Sequence, residues 1–178
     1  MKLQHVRRGG RYYRVCGRHW ADPSDTSFSR QRGGRWNPPD RPGRPGFGAL
    51  YLNASMDVAR GNARRYAYDA FGLELEDLRE EALPDLQHYD VAECEVVDAV
   101  TPAAISALGL TPSYPTGIPH PPCQAIAEQA YADGERGIAV LSATSTRGEE
   151  LVIFDREVTA LTTKTIREPF GRWFYLKT

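Results

Sequence analysis

The run Gly137-Ile138-Ala139-Val140-Leu141 contains no polar side chain. A strand wetted on one face would alternate apolar with polar residues, so this run predicts a strand covered on both faces. The chain must therefore build layers, with helices or further sheet packed on each side of a central strand. Gln124 to Asp133, just upstream, supplies one such layer: Ile126, Ala127, Ala130 and Tyr131 share a helical face, and Gly134 follows. With 178 residues, 41% of them hydrophobic and 25% charged, the chain suits one ordered domain over 1–178 that buries roughly two thirds of its unfolded surface.

The remaining elements read as α+β, a compact fold with a mixed or split β-sheet and flanking helices. Tyr12 to Val15 predicts a short strand, and Arg18 to Asp40 a long polar connection. Pro38 to Gly48, with four prolines and three glycines, reads as an inserted turn. Leu50 to Leu52 predicts a strand ending at Asn53 and Ser55, either of which suits the cap of a helix from Met56 to about Ala70. On that helix Ala59, Ala63, Tyr66, Ala67 and Ala70 form the buried stripe, with Asn62 beside it. Gly61 lies mid-helix, where glycine costs about 1 kcal/mol relative to alanine, so a close approach is expected there.

Leu73 to Leu86 is acidic and reads as helical or irregular. Tyr89 to Val97 predicts a strand with Glu93 and Glu95 facing water. Thr101-Pro102 opens a short helix that ends at Gly109, and Pro112 to Pro122, with five prolines, reads as a rigid loop. Leu151 to Phe154 and Val158 to Ile166 complete the strands across a tight Asp155-Arg156 link, and Trp173-Phe174-Tyr175 packs back as an edge.

Composition excludes several classes of function. A formal net charge of -1 gives no bulk attraction for a polyanion, so direct nucleic-acid binding is not expected. Arginines are dense between Arg7 and Arg44, a local positive surface suited to a small anion or a partner protein. Cys16, Cys94 and Cys123 are widely spaced and include no Cys-x-x-Cys pair, while the four histidines lack helical metal-pair spacing. Neither disulfides nor a metal are expected, and a reducing cytoplasm fits. Met1 to Arg8 is basic with no apolar run behind it, and no stretch reaches membrane-spanning length.

Gly33-Gly34-Arg35-Trp36-Asn37-Pro38 carries the chemistry. Two glycines let backbone approach a ligand, and Arg35 offers a planar charged fork that suits phosphate oxygens. Trp36 is placed to stack on a ring beside that anion, and Pro38-Pro39 stiffens the loop. A surface turn with one packed Trp is the plainer reading of the same residues. No Rossmann glycine fingerprint is present, so hydride transfer is not indicated.

Taken in order, Tyr12-Tyr13-Arg14-Val15, the Gly-Gly-Arg-Trp-Asn loop, Ala49-Leu50-Tyr51-Leu52-Asn53-Ala54-Ser55, Gly137 to Ala143 and Glu149 to Asp155 resemble the RES domain of bacterial toxins. The resemblance implies a fold similar to the ADP-ribosyltransferase core, and NAD as a substrate cut between nicotinamide and ribose with ADP-ribose passed to phosphate or water. It also implies a cognate antitoxin, Xre-like, whose C-terminal segment blocks the cleft. Carried over by residue, it makes Arg35 the family arginine that holds the pyrophosphate, Tyr51 the aromatic partner, and Ser142 the serine that positions ribose or carboxamide. Arg14, Gly34 and Trp36 join them in binding the dinucleotide.

The family pattern Ser-x-x-x-Ala-x-x-Glu reads Ser55-Met56-Asp57-Val58-Ala59-Arg60-Gly61-Asn62 here, so Asn62 takes the place of the glutamate. An amide brings no charge to a cationic transition state, a loss on the order of 3 kcal/mol. No Glu occurs between Met1 and Leu73, and Asp57 and Asp69 lie off the expected turn. Asn62→Glu is accordingly expected to raise NAD cleavage. A catalytically weak NAD- or ADP-ribose-binding module, and ADP-ribosyl transfer to a macromolecule, remain the alternative readings.

Overall fold

A computed structural model describes residues 2–144 and 148–175; residues 1, 145–147 and 176–178 lie outside it. In chain order the elements are β1 (His5–Cys16), α1 (Ser27–Arg32), β2 (Ala49–Asn53), α2 (Met56–Phe71), β3 (Asp85–Ala99), α3 (Pro102–Ala107), α4 (His120–Ala132), β4 (Gly137–Leu141), β5 (Glu149–Phe154), α5 (Val158–Leu161), β6 (Thr162–Glu168) and α6 (Phe170–Trp173). Short 3-10 turns at Leu75–Asp77, Glu80–Ala82 and Asp155–Glu157 fill the connections.

The strands form one mixed six-stranded sheet in the order β1-β2-β5-β4-β3-β6. Among the described residues only β3 and β4 run parallel, from Val97 opposite Ile138 to Ala99 opposite Val140. Strand β1 pairs with β3 along most of its length and meets β2 at Tyr13 opposite Asn53. Hydrogen-bonded neighbours thus lead from β1 through β2, β5, β4 and β3 back to β1, and the sheet closes on itself.

Closure explains the apolar runs. On β5, Leu151 and Ile153 point to one buried cluster with Leu50, Leu52, Ala139 and Tyr89, while Val152 and Phe154 point to another with Ile138, Val140 and the α4 residues Ile126, Ala127 and Ala130. Both faces are covered, as the unbroken run at 137–141 requires. A third cluster joins Ala59, Ala63 and Ala67 of α2 to Leu86, Phe170, Trp173 and Phe174. The α+β expectation with a mixed sheet holds.

Helix α2 begins where Ser55 Oγ accepts the Val58 amide at 3.3 Å, and it ends at Gly72 in the left-handed region. Glu93 and Glu95 face solvent as expected. Several boundaries differ from the sequence reading. Val158 to Leu161 is helical rather than extended, because Val158 and Leu161 reach the same cluster at a spacing of three, and β6 starts only at Thr162. Residues 173–175 form no strand: α6 drives Trp173 and Phe174 into the third cluster and leaves Tyr175 exposed. The connection from Arg18 contains α1. Pro121 and Pro122 belong to the first turn of α4, where proline's missing N–H costs nothing.

Candidate functional site

The two glycines end α1 and turn the chain back. Gly33, with φ of 74°, follows the helix, and Gly34 donates its N–H to Asn37 O at 2.9 Å, so Arg35 and Trp36 form the tip of a tight turn. Asn37 is fully buried and donates Nδ2 to Ser29 O at 2.7 Å and Phe47 O at 3.0 Å. Tyr51, from β2, donates its hydroxyl to Asn37 Oδ1 at 2.8 Å and accepts the Trp36 N–H at 2.9 Å. Gln124 of α4 adds a bond from Nε2 to Gly34 O at 2.8 Å. A Cβ on Gly34 would sit 2.5 Å from the Tyr51 hydroxyl and 2.8 Å from Asn37 Oδ1, so only glycine fits. The loop is thereby a rigid platform, and burial pushes the Tyr51 phenol well above its ordinary pKa.

This platform forms one wall of a cleft of about 340 Å³. Arg14, Gly34, Arg35, Trp36, Tyr51 and Asn62 all line it, joined by Asn53, Arg65, Tyr66, His120 and Glu150. The closed sheet gathers them, since β1, β2 and β5 deliver residues to the same end while α2 and the start of α4 flank it.

Two cations here have no acidic partner among the described residues. Arg14 makes one long bond, from Nη1 to Tyr51 O at 3.4 Å, lies 5.6 Å from the Trp20 ring, and leaves its buried Nε without a hydrogen bond among the described residues. Burial depresses its pKa, the signature of a cation short of solvation. Arg35 makes no hydrogen bond or ion pair among the described residues. At the rim, His120 is pushed below its ordinary imidazole value by partial burial of the ring and by the nearby charges of Arg35 and Arg65.

A carboxylate that the sequence reading did not select also lines the cleft. Glu150 Oε1 accepts Asn62 Nδ2 at 2.9 Å and Ser142 Oγ at 2.6 Å. Asn62 Nδ2 also donates to Asn53 Oδ1 at 2.5 Å, and Asn53 Nδ2 donates to Tyr13 O at 3.0 Å. Ser142 is therefore not at the cleft surface as expected: it is fully buried behind Glu150, bonded also to Thr144 Oγ1 at 3.0 Å. Trp36 departs from expectation too. Its ring is 1% exposed and packs edge-on to Tyr114 at 6.1 Å, so it braces the wall and offers no face to a ligand ring.

The signal for Glu150 was faint. Glu149-Glu150 opens an apolar strand, where neighbours point to opposite faces. Glu149 goes outward to a paired contact with Arg8, including Nη2 to Oε2 at 2.9 Å, and Glu150 goes into the cleft. Asn53 and Ser55 both suit the cap of α2 by sequence, and Ser55 is the one that caps it.

The RES domain family model matches residues 11–172. The chain belongs to the RES domain family. Among curated RES relatives, the NAD(+) phosphorylase MbcT of Mycobacterium bovis and of Mycobacterium tuberculosis is 33% identical over 131 residues, which is 74% of this chain and 66% of the relatives' length. The chain thus spans just under two thirds of those proteins. The crystal structure of the M. tuberculosis MbcT–MbcA toxin–antitoxin complex contains a chain that superposes with a TM-score of 0.79 at 27% identity, covering 97% of this RES chain and 92% of that one. No group of three or more His, Cys, Asp or Glu among the described residues is arranged to hold a metal ion, and no helix there is long and apolar enough to cross a membrane.

Proposed function

We propose that this RES domain binds NAD in the cleft and breaks the bond between nicotinamide and ribose, passing ADP-ribose to phosphate or water. The observation that carries the reading is the charge arrangement of the cleft: two arginines with no acidic partner among the described residues, Arg14 and Arg35, line a cavity that Glu150 also lines. A half-buried guanidinium with no counter-ion is costly unless an anion arrives, and a pyrophosphate supplies two negative charges in a geometry that suits bidentate arginine bonds. The cationic nicotinamide end of the same molecule is drawn toward the carboxylate. NAD carries both charges at once, which a simple phosphate or an uncharged sugar does not.

The names of the MbcT relatives support phosphate as an acceptor, and the toxin–antitoxin complex of the structural neighbour supports a protein partner. On this reading the domain is a toxin that drains the NAD pool of the cytoplasm until a cognate, Xre-like antitoxin closes the cleft. Three buried free thiols are in keeping with a reducing compartment. Asn62 at the family glutamate position favours a second reading, a module that holds NAD or ADP-ribose without turnover.

The test is to incubate purified protein with NAD, with and without phosphate, and to resolve nicotinamide, ADP-ribose and ADP-ribose phosphate by chromatography. Phosphate-dependent nicotinamide release supports phosphorolysis, and release without phosphate supports hydrolysis. Tight NAD binding with no release would establish the module, while absence of both would remove NAD from the account. Growth arrest on expression without an antitoxin tests the toxin role separately.

A further inference from the structure

We infer that Glu150 is the catalytic carboxylate of this domain, delivered from β5 to the place that a glutamate at position 62 of α2 would occupy, with Asn62 and Ser142 as the positioning residues that hold it there. The inference rests on the NAD-cleavage reading and assigns the charge which that reading needs and which the α2 sequence lacks.

Geometry supports the assignment in three ways. Glu150 is the carboxylate among the described residues lining the cleft, which it shares with the cations Arg14, Arg35 and Arg65. Its Oε1 is saturated by Asn62 Nδ2 at 2.9 Å and Ser142 Oγ at 2.6 Å, which fixes the plane of the group, while Oε2 has no hydrogen-bond partner among the described residues. One oxygen is anchored and the other is left for a ligand. Moreover, Asn62 reaches Glu150 because Gly61 lets α2 sit against Thr144: a Cβ there would lie 2.8 Å from Thr144 Cβ. The amide and the carboxylate are in direct contact, so exchanging them between α2 and β5 moves the negative charge by little more than a hydrogen-bond length.

The chemistry needs a fixed negative charge at this point. When the bond from C1′ of the ribose to the nicotinamide nitrogen breaks, its electron pair leaves with the ring as neutral nicotinamide, and positive charge develops on C1′ and the ring oxygen. Glu150 Oε2 stabilises that charge and accepts a hydrogen bond from a ribose hydroxyl. The acceptor then gives an oxygen lone pair to C1′. Hydrogen phosphate attacks as the dianion and keeps its proton, whereas water releases one, which Glu150 Oε2 takes and passes to solvent.

Three variants test the assignment: Glu150→Gln, Asn62→Glu, and the exchange Asn62→Glu with Glu150→Gln. Glutamine preserves the size of the side chain and an oxygen for Asn62 and Ser142, so thermal melting should match wild type. Glu150→Gln should lower kcat for nicotinamide release about a hundredfold, while affinity for ADP-ribose, which lacks the cationic ring and loses one accepted hydroxyl bond, falls by less than about tenfold. Asn62→Glu alone should not raise the rate, since two carboxylates in contact share a proton and carry one charge between them, as Glu150 does alone. The exchange should recover activity to within about tenfold of wild type, a rescue that a merely structural Glu150 would not give. Undiminished kcat in Glu150→Gln, or enhanced kcat in Asn62→Glu, overturns the assignment while leaving NAD cleavage in place. A wild type that releases no nicotinamide overturns the cleavage reading and this assignment together.

Discussion

Arg14 and His120 show how single residues in this cleft trade stability for ligand binding. Arg14 is a cation held with a buried, unbonded Nε and no acidic partner among the described residues, an arrangement that destabilises the empty protein and is offset only when an anion binds. Arg14→Met should therefore raise folding stability, by about 1 kcal/mol, and weaken ADP-ribose binding at least tenfold; denaturant titration and calorimetry measure the two effects. Loss of stability in the variant would mean that the guanidinium is satisfied in the empty state. His120 acts through protons. Its folded pKa lies below the ordinary 6.5, so the unfolded chain binds more protons as pH falls through the ordinary imidazole range. His120 therefore subtracts stability in acid and subtracts none above that range. Burial is the larger cause and persists, but a bound pyrophosphate offsets Arg35 and Arg65 and should raise the imidazole's proton affinity. ADP-ribose binding near pH 6 should then take up protons, read as a dependence of binding enthalpy on buffer ionisation enthalpy, and His120→Gln should abolish that uptake.

Among the elements, α2 carries the tightest constraint. Its alanine stripe packs on the third cluster, but the height of the helix above the β4–β5 connection is set by Gly61 against Thr144. At an exposed helical site Gly→Ala stabilises by up to about 1 kcal/mol. Here the added methyl meets a stiff β-branched side chain, and overpacking costs about 1–3 kcal/mol. Gly61→Ala should thus be destabilising by about 1 kcal/mol and should lower turnover by disturbing the Ser142–Glu150–Asn62 contacts; a denaturation midpoint above that of wild type would show that the helix is free to shift. The sequence reading expected a close approach at Gly61, from the cost of a glycine in mid-helix, without the identity of the neighbour. It likewise located β2, β4 and the start of α2, where apolar runs and a serine cap are local signals. It extended the last strand back over Val158–Leu161 because apolar residues three apart in a short segment fit either state until the core decides between them.

Across the whole molecule the cleft takes residues from β1 to β5, from Arg14 to Glu150, and the sheet that unites them closes through the β1–β3 ladder. Ligand binding should therefore be coupled to global unfolding rather than to one loop. ADP-ribose at a hundredfold excess over its Kd adds about 2.7 kcal/mol, or roughly 5–10 °C in Tm for a domain of this size, with a single transition retained; a ligand-independent first transition would show that the cleft opens on its own. By itself the sequence determined the α+β class, the family, the doubly covered strand and the arginine turn, because each rests on residues adjacent in the chain or on an ordered set of short motifs. It singled out Arg14, Arg35, Tyr51 and Asn62, and the fold placed them around one cavity. Only the tertiary structure decided that Trp36 is wall, that Ser142 stands behind the surface, and that Glu150 of β5 reaches Asn62 of α2. Those outcomes depend on which face of a strand or turn meets which neighbour. For residues 88 positions apart, that relation is set by sheet closure and helix packing rather than by any local pattern.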